Sequence, residues 1–436
     1  MDHSGSRIPG FYRLSLRERR AAICERAQVT LEELESAVEG GGLDVLMADK
    51  VVENVLGTYG LPFGIALNVR INGKDRLVPM VVEEPSVIAA ASNAARMVRA
   101  GGGFSAEVPE ALMIGQIQLT GVASIERATE RLEAERPELL ALAARAVPGL
   151  VARGGGPREL EVRDLAPGVI VLHILVDCCD AMGANLVNAI AESVGPVAAR
   201  VAGATLGLRI LSNLCDRRRV HASCRVHARD LVFSDRERLE PLSIVDGIVA
   251  ASRFAELDPY RAATHNKGIM NGVDAVVIAT GNDFRAVEAG AHAYAARSGQ
   301  YRPLAVWRRD GEDLVGELEM PLALGTVGGT LRVHPVARLA LSILGTSDAN
   351  ELAMTAASLG LASNLAALRA LATEGIQRGH MSLHARSVAV AAGATGDEVE
   401  AVAATIAARG TISLADATQV LNELRASGPQ APSLNR

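Results

Sequence analysis

The chain has 436 residues, of which 49% are hydrophobic, 22% are charged and 3% are aromatic, and its formal net charge is -6. This composition excludes a disordered chain, and the length exceeds what one ordinary core organises, so we expect two or three domains. The negative charge and the scarce aromatic side chains argue against a nucleic-acid binder.

The compartment can be inferred from the apolar runs and the cysteines. No apolar run in the sequence reaches membrane-spanning length, so we expect no membrane span. The N-terminus carries basic residues without an apolar run after them, which is not the pattern of a secretory signal. Five scattered cysteines without a CxxC pair indicate free thiols. We therefore expect a cytoplasmic protein.

The first hundred residues predict helices and one hairpin. Residues 13–39 predict two short helices, the second with a capping box formed by Thr30 and Glu33. The dipeptide Asn72-Gly73 is typical of a tight turn between two strands. The alanine-rich residues 85–100 predict a buried helix.

Residues 110–216 have a different rhythm, with strands and helices in the order βαββαβ. This is the order of a ferredoxin-like domain. Residues 1–109 and 217–375 share a Gly/Ala-rich character, so we expect the small domain to be inserted into a larger one. The predicted fold class is α+β, with a large mixed domain around a buried helix, an inserted ferredoxin-like domain and a helical C-terminal segment, residues 376–436.

Residues 258–290 place Lys267 and Asp283 on either side of an apolar run, Val273 to Thr280, that has the length of a strand. We expect a loop, a buried segment and a second loop, with both charges on polar turns. Burying a charge is costly unless it is paired. A structural ion pair and a functional pair are both consistent with these residues.

Other polar groups stand alone, since the GxGxxG, GxxxxGK[ST], HExxH and GxSxG fingerprints are absent. Glu84 ends a predicted strand, where a surface acid is the commoner interpretation. Gly183 lies at a strand-to-helix turn, which either binds phosphate or is an ordinary turn. His380 and His384 are one helical turn apart, and surface histidines, a titrating acid or a metal site without an evident third ligand all fit that spacing.

Six segments in this order together resemble class II, bacterial-type 3-hydroxy-3-methylglutaryl-coenzyme A (HMG-CoA) reductases, over nearly the whole chain. They are ENVLG (53–57), VEEPSVIAAAS (82–92), DAMGAN (180–185), DPYRAATHNKGIMNGVDAVVIATGNDFRAVEAG (258–290), GTVGG (325–329) and EGIQRGHMSLHAR (374–386).

The resemblance implies interconversion of HMG-CoA with mevalonate and CoA by two successive hydride transfers, in mevalonate synthesis or in its catabolism. It assigns catalysis to four residues: Glu84, Lys267, Asp283 and His380. Lys267 would stabilise the oxyanion, and Asp283 would keep Lys267 charged and oriented. Glu84 would donate a proton to the developing alcohol, and His380 would protonate the departing thiolate.

The resemblance also implies the binding residues, and it implies no metal. The HMG-binding positions are Ser86, Arg261, Asn271 and Asn364. The small domain would bind NAD(P) through Asp180, Met182, Gly183, Asn185 and Val147, together with Gly325, Gly328 and Gly329 of the large domain.

The cofactor preference depends on Val147, because NAD-preferring relatives carry an acid at this position. Arg145 and Arg153 are near enough in sequence to attract the 2′-phosphate of NADP(H). The rest of the similarity is closest to the NAD-using branch, so we expect NAD(H), with NADP(H) as the alternative.

The resemblance further implies an obligate homodimer, or a higher oligomer of dimers, with residues 376–436 acting as a flap over the site. Two other functions are consistent with the residues. One is an oxidoreductase for another acyl-CoA or thioester, and the other is a non-enzymatic protein that binds CoA or a nucleotide.

Overall fold

The computed structural model describes residues 5–232, 240–346, 348–373 and 385–426. The helices are α1 (Leu16–Ala27), α2 (Leu31–Val38), α3 (Val45–Val51), α4 (Val87–Ala100), α5 (Ile125–Ala134), α6 (Arg136–Ala146), α7 (Pro148–Val151), α8 (Ala184–Ala202), α9 (Pro241–Leu257), α10 (Pro259–Ala279), α11 (Phe284–Ala295), α12 (Pro335–Leu344), α13 (Ala349–Ala372), α14 (Asp397–Arg409) and α15 (Leu414–Ala426). The strands are β1 (Phe63–Ile71), β2 (Lys74–Val81), β3 (Phe104–Thr120), β4 (Gly156–Ala166), β5 (Val169–Asp177), β6 (Thr205–Ser212), β7 (Arg218–His227), β8 (Ala305–Asp310) and β9 (Asp313–Pro321).

Local signals in the N-terminal part are confirmed. The side chain of Thr30 accepts a hydrogen bond from the backbone N–H of Glu33, and Glu33 accepts one from the backbone of Thr30, so the capping box of α2 is complete. Asn72 and Gly73 join β1 to β2, and both have positive φ, as a tight hairpin turn requires.

The long strand β3 connects two parts of the sheet. Its first half, residues 104–111, pairs with β7, while residues 112–120 pair with β5. The strand order is β2-β1-β3-β7-β9-β8 along one path, and β4-β5-β3-β6 along the other. The second set, together with α5, α6 and α8, has the predicted ferredoxin-like order. The mixed α+β fold class is therefore confirmed.

Four clusters of buried side chains form the core. One joins the first path of the sheet to α4, α9, α10 and α13, and a second lies under the ferredoxin-like strands. A third joins α1, α2 and α12 to the β1–β2 hairpin. The fourth packs α14 and α15 onto the helical residues 385–391.

The prediction of a strand-length segment between two loops at residues 258–290 is wrong. Helix α10 runs without interruption from Pro259 to Ala279 and includes almost all of the apolar run. Asp258 begins it by accepting hydrogen bonds from the backbone N–H groups of Tyr260 and Arg261. By periodicity alone, a short apolar run fits a strand or a buried helix. Here buried residues recur along the whole of α10, and the apolar run is part of that helix.

Helix α13 is the helix against which α10 packs most extensively. By length and composition α13 is apolar enough to cross a membrane, which the sequence analysis did not anticipate. Within the structure, 78% of its most apolar window is buried, so α13 has the features of a core helix.

Two glycines allow the backbones of α10 and α13 to approach closely. A Cβ atom at Gly272 would meet the backbone carbonyl of Leu359 and would lie 2.5 Å from Oγ of Ser363. A Cβ atom at Gly360 would lie 2.7 Å from a methyl carbon of Val273. Real Cβ atoms do not tolerate such distances, so side chains here would force the helices apart.

We predict that Gly272→Ala destabilises the protein by about 1–3 kcal/mol, because it overpacks the contact between α10 and α13. The matched control is Gly268→Ala on the same helix, where a Cβ would meet no heavy atom within 4 Å in the described part of the chain. The control should be neutral or stabilising by about 0.5–1 kcal/mol, because alanine favours helix. Urea denaturation measures both, and equal midpoints would contradict the prediction.

Candidate active site

One face of α10 carries the polar side chains of the site. Lys267 and Asn271 are four residues apart and therefore lie on the same side of α10, while Arg261, six residues before Lys267, lies toward the partly buried edge of this face. The opposite side is buried in the core, and Lys267 itself has 60% of its side chain exposed. The helical pitch therefore sets the order of these groups along an open surface.

Glu84 joins this face from the segment between β2 and α4. Its carboxylate Oε2 lies 2.7 Å from Nζ of Lys267 and accepts a longer hydrogen bond, 3.4 Å, from Nδ2 of Asn271. The adjacent Glu83 is exposed, whereas Glu84 is partly buried. Only one of the two neighbouring acids therefore takes part in the pair, as their alternation predicts.

Ser86 and Arg261 have unused hydrogen-bonding capacity. Ser86 has a φ of 78° at the N-terminus of α4, and its buried Oγ has no partner in the described structure. Such a backbone conformation in a non-glycine residue is often found at ligand sites. Partial burial lowers the pKa of Arg261, and no described residue forms an ion pair with its guanidinium. An anionic ligand would satisfy both groups.

Asp283, Asn364 and His380 are placed differently from these groups. The carboxylate of Asp283 caps α11 by accepting from two backbone N–H groups, and no ion pair between it and Lys267 occurs among the described residues. Asn364 is buried and accepts a hydrogen bond of 2.7 Å from Nε1 of Trp307, so its amide oxygen is already used. His380 and His384 lie outside the described residues.

The predicted cofactor turn and the glycine loop are in contact. A Cβ atom at Gly325 would lie 2.6 Å from the backbone nitrogen of Met182, so only glycine fits there. The backbone N–H of Thr326 donates to the carbonyl oxygen of Asp180, 2.9 Å away. The side chain of Asp180 accepts from the backbone N–H of Ala349, which fixes the turn against α13.

The N-terminus of α8 directly follows this turn. Gly183 precedes the helix with a φ of 102°, and no side chain caps it. Asn185 is exposed in the first turn. Gly328 and Gly329 also have positive φ, and a Cβ at either would meet no heavy atom within 4 Å in the described part of the chain. Free helix amides beside an open glycine loop suit a phosphate group.

Val147 and Arg153 differ in their exposure. Val147 is 5% exposed, so its side chain is part of the core. Arg153 is exposed, its charge acts on the thiol of Cys179, and no described residue pairs with its guanidinium. Arg145 is already paired with Glu138 at 2.9 Å. Among these arginines, Arg153 is the one available to a further anion.

Two residues that the sequence analysis missed hold the glycine loop. The side chain of Asn282 accepts from the backbone N–H of Gly325 and donates to its carbonyl oxygen, at 2.8 and 3.1 Å. Arg218 reaches the same loop from β7. No local signal identified either residue, because both depend on contacts between distant segments.

A chain of titratable groups links α10 to α11. Asp274 lies two turns after Lys267, and its carboxyl shares a hydrogen bond with Glu288. Nε2 of His292 lies 2.6 Å from a carboxylate oxygen of Glu288, and the other ring nitrogen of His292 lies 2.6 Å from the hydroxyl of Tyr301. Burial and the neighbouring Glu288 raise the pKa of Asp274 to about 8. The Asp274–Glu288 pair therefore holds one proton at neutral pH.

The raised pKa of Asp274 predicts a pH dependence of stability. The folded protein keeps a proton that the unfolded chain loses above its ordinary pKa of 3.8. The free energy of unfolding therefore falls through this group as pH rises from about 4 to about 8, and then levels off. We predict that Asp274→Asn, which cannot ionise, flattens this part of the profile. Thermal unfolding from pH 5 to 9 measures it, and parallel wild-type and variant curves would contradict it.

Comparisons with known proteins agree with this architecture. A family model described as hydroxymethylglutaryl-coenzyme A reductase matches residues 15–385. A 3-hydroxy-3-methylglutaryl-coenzyme A reductase of Archaeoglobus fulgidus is 50% identical over 424 residues, which are 96% of this chain and 95% of the relative. A probable enzyme of that name from Borreliella burgdorferi is 35% identical, over 78% of this chain and 77% of its own.

Solved structures from Streptococcus pneumoniae are also similar. A 3-hydroxy-3-methylglutaryl-coenzyme A reductase has a TM-score of 0.81 and 42% identity, covering 96% of this chain and 99% of its own. A class II enzyme bound to NADPH in open conformations has a TM-score of 0.80 and 43% identity, covering 84% and 99%.

Fold and comparisons together define an NAD(P)H-dependent oxidoreductase. The chain belongs to the hydroxymethylglutaryl-coenzyme A reductase family and, within it, to class II, which confirms the resemblance found in the sequence.

Proposed function

We propose that the chain reduces HMG-CoA to mevalonate and CoA at the Glu84–Lys267 pair, with hydride supplied by NAD(P)H bound between the Asp180–Gly183 turn and the Gly325–Gly329 loop. The observation that carries this proposal is the 2.7 Å ion pair on the open face of α10. An exposed ion pair contributes little stability, so its position beside unsatisfied polar groups favours a catalytic role.

The chemistry follows from the charges. Hydride attack on the thioester carbonyl gives an oxyanion, which the ammonium group of Lys267 stabilises. CoA then leaves as a thiolate, and a second hydride reduces the resulting aldehyde to an alcohol. Glu84 lies within hydrogen-bonding distance of Lys267, so it can supply the proton that the alcohol oxygen takes up. Asn271 orients the Glu84 carboxylate for this step.

The acyl group has a terminal carboxylate, which we place at Arg261 and Ser86. Both have unused hydrogen-bonding capacity, and the N-terminus of α4 begins immediately after Ser86. This placement is consistent with a substrate that is anionic at the end opposite the thioester. Asn364, with its amide oxygen held by Trp307, would support this region from within the core.

Asp283 and His380 complete the proposed catalytic set. Asp283 follows directly after Asn282, which holds Gly325, so its carboxylate begins α11 beside the cofactor loop. There it can act electrostatically on Lys267 once substrate and nicotinamide are bound. His380 would protonate the CoA thiolate from a closing C-terminal segment, as in the family resemblance.

Exposed apolar side chains support the proposed homodimer. Leu46, Val52, Leu56 and Tyr59 are exposed around the ENVLG segment, and Tyr260 is exposed next to Arg261. A protein rarely leaves such surface in water unless a partner covers it. A second copy covering it would also shield the open face of α10.

The five cysteines are free, as expected of a cytoplasmic protein.

We predict that Lys267→Ala lowers kcat for HMG-CoA-dependent NAD(P)H oxidation by at least about 10²–10³-fold, because the oxyanion loses its main cation. The folded dimer should persist, since the pair is exposed. The matched control is Lys74→Ala, which removes another exposed lysine paired with a glutamate, Glu351, at 3.1 Å. The control should keep its activity. If the Lys267 variant unfolds, the Glu84–Lys267 pair has a structural role and the prediction is contradicted.

For the cofactor, we propose that Arg153 attracts the 2′-phosphate, so that the chain uses NADP(H) at least as well as NAD(H). This revises the preference for NAD(H) expected from the sequence, because Val147 is buried and Arg153 lies beside the turn at Cys179. Exposed charge pairs of this kind contribute modest but measurable selectivity.

We predict that Arg153→Ala lowers the ratio of kcat/KM for NADPH over NADH by about fivefold to tenfold, since one charge-assisted contact to the phosphate is lost. The control variant is Arg145→Ala, whose guanidinium is already paired with Glu138 and which should change the ratio little. An unchanged ratio in the Arg153 variant, or a strong preference for NADH in the wild type, would contradict this assignment.

A further inference from the structure

Arg218 lies between the two loops assigned to the cofactor, and only 3% of it is exposed. Its Nη1 donates to the carbonyl oxygens of Ala181 and Met182, at 3.1 and 3.2 Å. Its Nη2 donates to the carbonyl oxygen of Leu324 at 2.6 Å. One guanidinium therefore bonds the Asp180–Gly183 turn to the residue that precedes Gly325.

The neighbouring arginines show that this placement is specific. Arg217 is paired with Glu110, Glu159 and Glu161 near the surface, and Arg219 is paired with Glu319. Side chains alternate between the two sides of a strand, so Arg218 alone of the three points into the protein. No described carboxylate forms an ion pair with it.

A buried guanidinium without a paired acid has an energetic cost. Burial lowers the pKa of Arg218, and main-chain carbonyls replace the water that it loses. A neutral residue would join these loops at a lower cost of desolvation, so structure alone does not account for the charge. A fixed positive charge directly behind a phosphate-binding turn does have a use, because it attracts the anionic cofactor.

The contacts of Arg218 also set the direction of a backbone amide. In a trans peptide, the carbonyl and the following N–H point in opposite directions, and no cis peptide occurs in the described chain. Holding the carbonyl of Met182 therefore turns the N–H of Gly183 away from Arg218. Gly183 is the N-cap residue of α8, so this N–H lies with the free amides of the helix N-terminus.

We propose that Arg218 is a positioning residue for the nicotinamide cofactor. It locks the turn and the glycine loop at one separation, orients the Gly183 amide, and supplies positive charge behind the cofactor pyrophosphate. This proposal rests on the proposed function, namely that these two loops bind the cofactor. It assigns to Arg218 no contact with the substrate or with the transferred hydride.

The test compares Arg218→Met and Arg218→Lys, with Arg217→Met as the control. The methionine variant keeps length without charge or donors, and we expect its KM for NADPH to rise about tenfold or more, as losing charge-assisted hydrogen bonds predicts. The lysine variant keeps the charge and should fall between wild type and Arg218→Met. The KM for HMG-CoA should change less than about twofold in both, since the guanidinium of Arg218 bonds the loops that we propose bind the cofactor. Arg217→Met, which removes a surface network outside these loops, should leave both constants near the wild-type values.

Direct binding of NADPH, followed by its fluorescence in the absence of HMG-CoA, tests the role of Arg218 separately from the proposed function. A wild type that binds NADPH but does not reduce HMG-CoA would refute the proposed function, while the Arg218 comparison would still hold. The proposal is overturned if a folded Arg218→Met binds NADPH as wild type does. If Arg218→Met does not fold, Arg218→Lys decides. An unchanged Kd for NADPH, or equal rises in the KM values for NADPH and HMG-CoA, would overturn the proposal.

Discussion

The close packing of α10 against α13 is the constraint on which the site depends. Gly272 and Gly360 let the two backbones approach, and α10 runs as one uninterrupted helix along this contact. Its outer side then presents Lys267 and Asn271 one helical turn apart, with the half-buried Arg261 nearer the N-terminus of the helix. Glu84 reaches this face from the segment after β2, so that a carboxylate, an ammonium group and a side-chain amide meet there.

A second set of contacts positions the two loops that we propose bind the cofactor. The strand β3 carries the chain from one part of the sheet to the other, so the turn before α8 and the loop after β9 come from different parts of the fold. Arg218 and Asn282 join them through backbone hydrogen bonds. Because Asn282 precedes Asp283, the same contacts connect the cofactor loop to the N-terminus of α11.

The sequence predicted the features that local rules decide. The capping box at Thr30, the hairpin at Asn72-Gly73 and the ferredoxin-like order depend on short patterns, and all are confirmed. Val273–Thr280 was misassigned because β-branched residues fit a strand or a buried helix equally well until the contact with α13 is known. The partner of Lys267 was expected to be Asp283, yet the structure pairs it with Glu84, 183 positions away. Arg218 was hidden in a run of three arginines, since only the direction of the strand shows which one points inward.

We propose that one site, built on Glu84 and Lys267, reduces a thioester first to an aldehyde and then to an alcohol. The most direct test is the amount of NAD(P)H oxidised per mevalonate formed by the purified protein, with HMG-CoA limiting and free CoA counted by its thiol. We predict that two nicotinamides are oxidised and one CoA is released for each mevalonate formed. Release of CoA with one nicotinamide oxidised and no mevalonate would contradict it, as would no oxidation at all.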